Sequence, residues 1–286
     1  LAPAAAALMF DRQDRGAPAL LHDDDTVERL CALARMLADC PPGPQRDEAA
    51  AKLCQEWVPA LREVRRMGMY GGDYPEEVTG AALAMVRLHL SLGQTGQALS
   101  LLNDPRMKLA DTPSAYLDLL AYPALAEWLN EHLTGKGEAL AVAAVADTGG
   151  WTARSMSMTP ERIEAVRQVL SAIQDEPSRQ VLEAVVERAQ WKAPGDGENQ
   201  FALTDDQRRT AERILACQDD GIRRLLLLLL PEADELDEAL IAAWDTCEHE
   251  RIMGMKDQRS GVYSQGFSRY VRAMLRQGRF DQFLQK

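Results

Sequence analysis

The stretch TCEHE at 246–250 sets Cys247 and His249, two metal-binding residue types, two positions apart. On a helix, residues i and i+2 point apart; a shared zinc needs i and i+4, or ligands from elsewhere in the chain. Spacing assigns no metal site there. HDDD at 22–25 offers carboxylates to a divalent cation, yet acids ahead of a helix over 26–38 are what the positive end of its dipole attracts. GVYSQG at 261–266 surrounds Ser264 with glycines. Its spacing is G-x-x-S-x-G and no strand leads into it, so it is not the strand-to-helix turn of a serine hydrolase. Of the remaining histidines, His22, His89 and His132, the second stands within an apolar helical run where a structural role is expected. No catalytic, cofactor-binding or metal-ligating set is assigned, and the chain reads as a protein that is not an enzyme. An all-helical enzyme stays an alternative, because carboxylates far apart in sequence leave no spacing signature.

Two arginine clusters carry charge chemistry instead. LREVRRMG holds Arg62, Arg65 and Arg66; RYVRAMLRQGR holds Arg269, Arg272, Arg276 and Arg279 along one or two faces of the last helix. The second cluster is the candidate contact for phosphates or an acidic partner, with a solvated helix face as the plain alternative. Just beyond it, Phe280, Phe283 and Leu284 form a candidate partner interface. The net charge of −12 disfavours extensive nucleic-acid binding, which draws its affinity from counterions released by basic side chains. Five cysteines (Cys31, Cys40, Cys54, Cys217, Cys247), widely spaced and without C-x-x-C, read as reduced thiols of an intracellular compartment. Trp57, Trp128, Trp151, Trp191 and Trp244 are scattered, most of them on helical stripes, which reads as core rather than a stacking platform.

These residues must be positioned by helices. Ala and Leu abound, aromatic residues are only 6%, and no window alternates as a strand does. Val27, Leu30, Cys31, Ala34 and Leu37 form one stripe, ended by Pro41–Pro42. Ala50, Leu53, Cys54, Trp57, Leu61 and Val64 form the next, with Pro59 expected to kink or split it. Further helices are expected over 76–91, 95–103, 113–120, 123–133, 178–191, 221–230, 235–250 and 261–276. A small-residue helix, GEALAVAAVAD, and a helix opened by Thr159–Pro160 lie among them, and Thr204 to Gln207 fits a capping box. The run LLLLLL at 225–230 is far short of the ~20 residues a membrane span needs. Residues 1–23, opening LAPAAAALMF, read as a loosely held arm left by processing or trimming. The domain expectation is a helical-hairpin array over 24–191, a linker over 192–203 and a C-terminal helical segment over 204–286. The fold class is all-α.

The segment LHLSLGQTGQALSLL at 88–102 resembles tetratricopeptide and pentatricopeptide repeats, in which a glycine closes the first helix and a small residue five positions later lies inside the second. Gly93 and Ala98 hold that relation. Ala82, Met85, Val86 and Leu90 supply the inner face of the first helix; Leu99, Leu101 and Leu102 continue it on the second. Asp111, Tyr116, Leu119 and Leu120 follow the pentatricopeptide pattern, with Pro113 after the Asp rather than before it. A second echo, YVRAMLRQGRFDQFLQ, places Gly278 at the turn and Phe280 at the next helix start, with Phe283 where the family has Ala. The resemblance spans residues 79–120 and 267–285. It implies antiparallel helical hairpins stacked as a solenoid or an irregular bundle. It also implies a function: a non-catalytic scaffold joining other protein subunits in a larger assembly, in cytoplasm or mitochondrial matrix, without a cofactor. Its alternative is an RNA-associated subunit of an organellar ribonucleoprotein or mitochondrial ribosome.

Overall fold

The computed structural model describes residues 24–66, 76–146 except 106 and 108, 160–191, 202–245, 258–279 and 281. Among them it is all-α, with thirteen α-helices and no strand. In chain order these are α1 (Asp24–Asp39), α2 (Pro44–Arg66), α3 (Glu76–Ser91), α4 (Thr95–Leu102), α5 (Pro113–Leu119), α6 (Ala126–Leu133) and α7 (Gly137–Ala146). There follow α8 (Pro160–Ala172), α9 (Glu176–Arg188), α10 (Asp205–Leu215), α11 (Asp220–Leu226), α12 (Asp237–Trp244) and α13 (Gln258–Arg276). Short 3-10 turns stand at 109–111, 123–125, 227–229 and 234–236. The contacts divide the chain between Ala124 and Leu125 into two compact units. The expected linker core at 192–201 and the N-terminal arm lie outside the described residues.

The first unit is built on α3. Its residues Ala81 to His89 are all buried, as befits a helix that is apolar on every side. α1 lays its stripe of Val27, Leu30, Cys31, Ala34 and Leu37 against it, and α2 packs on both. Small residues on α3 permit that approach: a Cβ on Gly80 would lie 3.9 Å from the sulfur of Cys31. Pro59 does not split α2, which runs through it as one helix. Arg46, in the first turn of α2, ties the ends of its neighbours. Its Nε donates to the Leu37 carbonyl (2.8 Å) and its Nη1 to the Ser91 carbonyl (3.2 Å). These oxygens belong to the last turns of α1 and α3, where no intrahelical donor is left and a cation is favoured.

Gly93 answers for the reversal between α3 and α4. Its φ is +69°, and the Gln94 amide donates to the His89 carbonyl (2.9 Å) while the Gly93 amide donates to that of Leu90 (3.0 Å). That pair of bonds is the left-handed glycine cap of a helix end. Gln94 adds a side-chain link, its Oε1 2.8 Å from His89 Nδ1. Ala98 is fully buried, with Leu101 and Leu102, whereas Leu90 and Leu99 are half-buried flanks. Tyr116, Leu119 and Leu120 are all buried, and the Tyr116 hydroxyl donates to the Ala110 carbonyl.

The second unit wraps around α7, the small-residue helix, whose residues Leu140 to Val145 are buried without a break. α9, α11 and α13 all pack on it, although they follow it at increasing distance along the chain. Residues 225–230 are buried too, as the end of α11 and the turn after it. Among the described residues no helix is long and apolar enough to cross a membrane. Thr204 makes the expected capping box with Gln207, and Asp175 caps α9 through the Ser178 amide.

Candidate functional site

The arginines of the last helix come together, as their spacing predicts, but against carboxylates of their own unit. Arg269 is buried. Its Nη1 donates to the carbonyls of Leu227 (3.3 Å), Leu228 (3.0 Å) and Leu230 (2.9 Å), and its Nη2 to Pro231 (3.1 Å). A short helix that ends inside the protein leaves such carbonyls without partners, and one guanidinium satisfies four of them. Burial lowers the Arg269 pKa to about 10, with nearby Glu232 opposing the shift.

Arg272, one turn on, holds Glu232 with Nε at 3.1 and 3.2 Å from its two oxygens and Nη2 at 2.5 Å. Arg276 reaches the same carboxylate with Nη1 (3.0 Å) and clamps Asp237 with Nε (3.0 Å) and Nη2 (2.6 Å). Asp237 is only 1% exposed. The Asp237 bonds raise the Arg276 pKa further above its ordinary value, and the Arg272 bonds hold the Glu232 carboxyl below the usual carboxylate range. Arg279 pairs with Glu238 at 2.7 and 3.0 Å. Three of the four arginines thus face Glu232, Asp237 and Glu238, and the fourth is spent on backbone. The sequence places positive charge here; the structure turns it into a neutral seam.

Phe280, Phe283 and Leu284 lie outside the described residues. One turn before Gly278, however, Leu275 is 53% exposed, beside Leu215 (43%) as the exposed large apolar side chains described. Gly278 repeats the cap seen at Gly93: φ is +65°, Arg279 N donates to Met274 O (2.8 Å) and Gly278 N to Leu275 O (3.1 Å).

The residues weighed for catalysis and metal binding resolve differently. His89 is buried in the α3 turn, and His132 stacks on Trp128 with ring centroids 4.2 Å apart. His22, Cys247, His249 and Trp151 lie outside the described residues. α1 begins at Asp24, so the acids of HDDD run into its first turn. Gly261, Ser264 and Gly266 are all helical, within α13. Among the described residues no three His, Cys, Asp or Glu side chains converge as metal ligands. Cys31, Cys54 and Cys217 are buried and in no disulfide, and burial pushes the Cys54 thiol up to about 12.

Sequence reasoning missed one feature, a trough of about 710 Å³ in the second unit. One face of α9 is its floor, carrying Glu183, Val186 and Glu187, with Gln190 in the turn just after the helix. α8 contributes one wall with Arg167 and Leu170, and α10 the other with Arg209, Thr210 and Arg213. Arg213 pins the α10 wall to the floor, with Nη1 2.8 Å from Glu183 and Nη2 2.7 Å from Glu187. Half-buried Trp191 stands at one end, its indole N–H donating to the Thr210 hydroxyl (3.3 Å). Of the four described tryptophans it is the one that is partly exposed, a signal that its helical pattern in the sequence does not carry. Trp57, Trp128 and Trp244 are buried core.

Fold and surfaces define an all-α protein of two helical units. No protein-family profile matches the chain, and comparison with curated proteins and with solved structures finds no similar one.

Proposed function

We propose that the chain is a non-catalytic helical scaffold that joins other proteins as a subunit of a larger assembly. The observation that carries this is Leu275. It is the most exposed large apolar side chain described, one turn ahead of the Gly278 reversal and of the apolar Phe280, Phe283 and Leu284. An isolated exposed leucine is ordinary, but one that precedes two phenylalanines by five and eight residues in sequence supports the reading of a surface that gains from being covered. The α3–α4 reversal, with Gly93 and Ala98 in their repeat-like roles, supports kinship with tetratricopeptide and pentatricopeptide hairpin arrays. Buried reduced thiols fit cytoplasm or mitochondrial matrix.

The RNA-associated alternative needs free basic groups at the C-terminal end. Arg269 is buried on backbone oxygens, Arg276 is held by buried Asp237 and Arg272 by both oxygens of Glu232. Of the four only Arg279, in an exposed pair, is readily exchanged, which favours the scaffold reading over it. The test is purification of the tagged protein from its native cells at moderate salt, with and without ribonuclease, beside a Leu275→Ser/Phe280→Ser/Phe283→Ser variant. A defined protein set that survives ribonuclease and is lost in the folded variant is the expected result. Partners that vanish on ribonuclease treatment would reject it in favour of the ribonucleoprotein.

A further inference from the structure

We propose that the trough over α9 docks an extended polypeptide segment in which acidic and apolar residues alternate. The inference rests on the scaffold reading and names one class of partner for it.

Length sets how much of a guest the floor can seat. Along α9 it runs from Arg179 to Glu187, about 12 Å at 1.5 Å per helical residue, with Gln190 just past the helix end. An extended chain spans that with about four residues at ~3.3 Å each.

Charge selects the residues. The lining carries Arg167, Arg179, Arg209 and Arg213 against Glu183, Glu187 and Asp206, a basic excess in a chain of net charge −12. The floor is already neutralised, because Arg213 holds both glutamates and Arg179 stands 3.9 Å from Glu183. The rims are not bound in this way. Arg167 on the α8 wall is 69% exposed and Arg209 on the α10 wall 75% exposed. Among the described residues each has only an i,i+3 acid of its own helix as an ion-pair partner, Glu164 at 3.8 Å and Asp206 respectively. Exposed pairs of this kind are weak and exchange readily for an incoming carboxylate. Between the rims, Leu170, Val186 and the half-buried Trp191 offer an apolar seat.

Successive side chains of an extended segment point to opposite faces. A segment with acids at alternate positions therefore sets carboxylates at the arginine rims while its apolar residues enter the seat. A polynucleotide fits less well, because the lining carries only one more arginine than carboxylates, a small excess for an unbroken phosphate charge.

The test is anisotropy titration of the full chain with a fluorescein-labelled Gly-Glu-Leu-Glu-Leu-Glu-Gly peptide. The lysine analogue, a Gly-Glu-Glu-Glu-Leu-Leu-Gly isomer and a ten-nucleotide oligouridine serve as comparisons. We expect saturable binding of the alternating acidic peptide, at least tenfold weaker for the isomer and for Arg167→Ala/Arg209→Ala. The charge-reversed Arg167→Glu/Arg209→Glu protein, with an unchanged thermal melt, should prefer the lysine analogue. Absence of peptide binding, equal binding of the isomer, or tighter binding of oligouridine would each overturn the proposal. A native protein assembly that persists while the peptide fails to bind would overturn it and leave the scaffold reading standing.

Discussion

Gly266 lies directly beneath the indole of Trp244: a Cβ on it would sit 2.0 Å from two carbons of the ring. This is how α12 and α13 come close enough to pack along one another, with Tyr263 one turn earlier meeting the same indole edge-on at 5.7 Å. Trp244 is buried and cannot swing aside. Gly266→Ala is therefore expected to cost about 3 kcal/mol, the upper end for overpacking, and to lower Tm by roughly 6–12 °C. Gly261→Ala on the same helix is the control, since nothing lies within 4 Å of its Cβ position. Equal melting temperatures for the two variants would show that the indole has room to move.

The arginine seam predicts unequal losses from chemically equal substitutions. Arg276→Ala leaves Asp237 buried, with only the Gln277 amide 3.4 Å away. Removing one partner from a buried ion pair costs about 3–5 kcal/mol, and the low end applies here because Arg276 is partly exposed. Arg279 and Glu238 are both exposed, and a pair of that kind contributes about 0–1 kcal/mol. Urea unfolding should place Arg276→Ala well below wild type and Arg279→Ala close to it. Comparable midpoints would mean that Asp237 is repaired by water or by a neighbour.

Gly93 and Gly96 stand three residues apart and should respond with opposite signs. Gly93 occupies the left-handed region, where an L side chain costs about 1–2 kcal/mol. Gly96 is inside the first turn of α4, with right-handed backbone and open space around its Cβ position. There, alanine restricts the unfolded chain without strain and adds about 0.5 kcal/mol. Thermal melts of Gly93→Ala and Gly96→Ala check both. A stabilised Gly93→Ala would show that α3 does not need this cap.

That contrast marks what could be read from sequence and what could not. Local chemistry was readable. The Gly93 and Gly278 caps, the Thr204 capping box, the stripe of α1 and that of α2 from Ala50 to Leu61 depend on residues within one or two turns, and these appear where the pattern puts them. Pro59 does not split α2 because a missing N–H weakens a helix only locally, while buried Trp57 and Leu61 hold the helix through it. The burial of residues 225–230 and the neutral seam depend on partners about 40 positions apart, such as Arg269 with Leu228 and Arg276 with Asp237. No spacing rule reaches that far. The trough was invisible for the same reason: its walls are helices that share only a floor.

Glu232 gives the seam a dependence on pH whose sign can be fixed. Hydrogen bonds from Arg272, and then from Arg276, depress its pKa against the opposing effect of burial. In the unfolded chain the carboxyl returns to the ordinary glutamate range, so below about pH 5 the unfolded state takes up the proton first. The stabilisation is therefore full above that range and is lost as pH falls through the depressed folded value. The difference in unfolding free energy between wild type and Glu232→Gln should stay constant from pH 8 to about pH 5.5. It should then shrink steadily as pH falls through the depressed folded pKa and close below it. Denaturant titrations at five pH values measure it directly. A difference that stays level down to pH 3 would show that Arg272 and Arg276 hold Glu232 no better than water does.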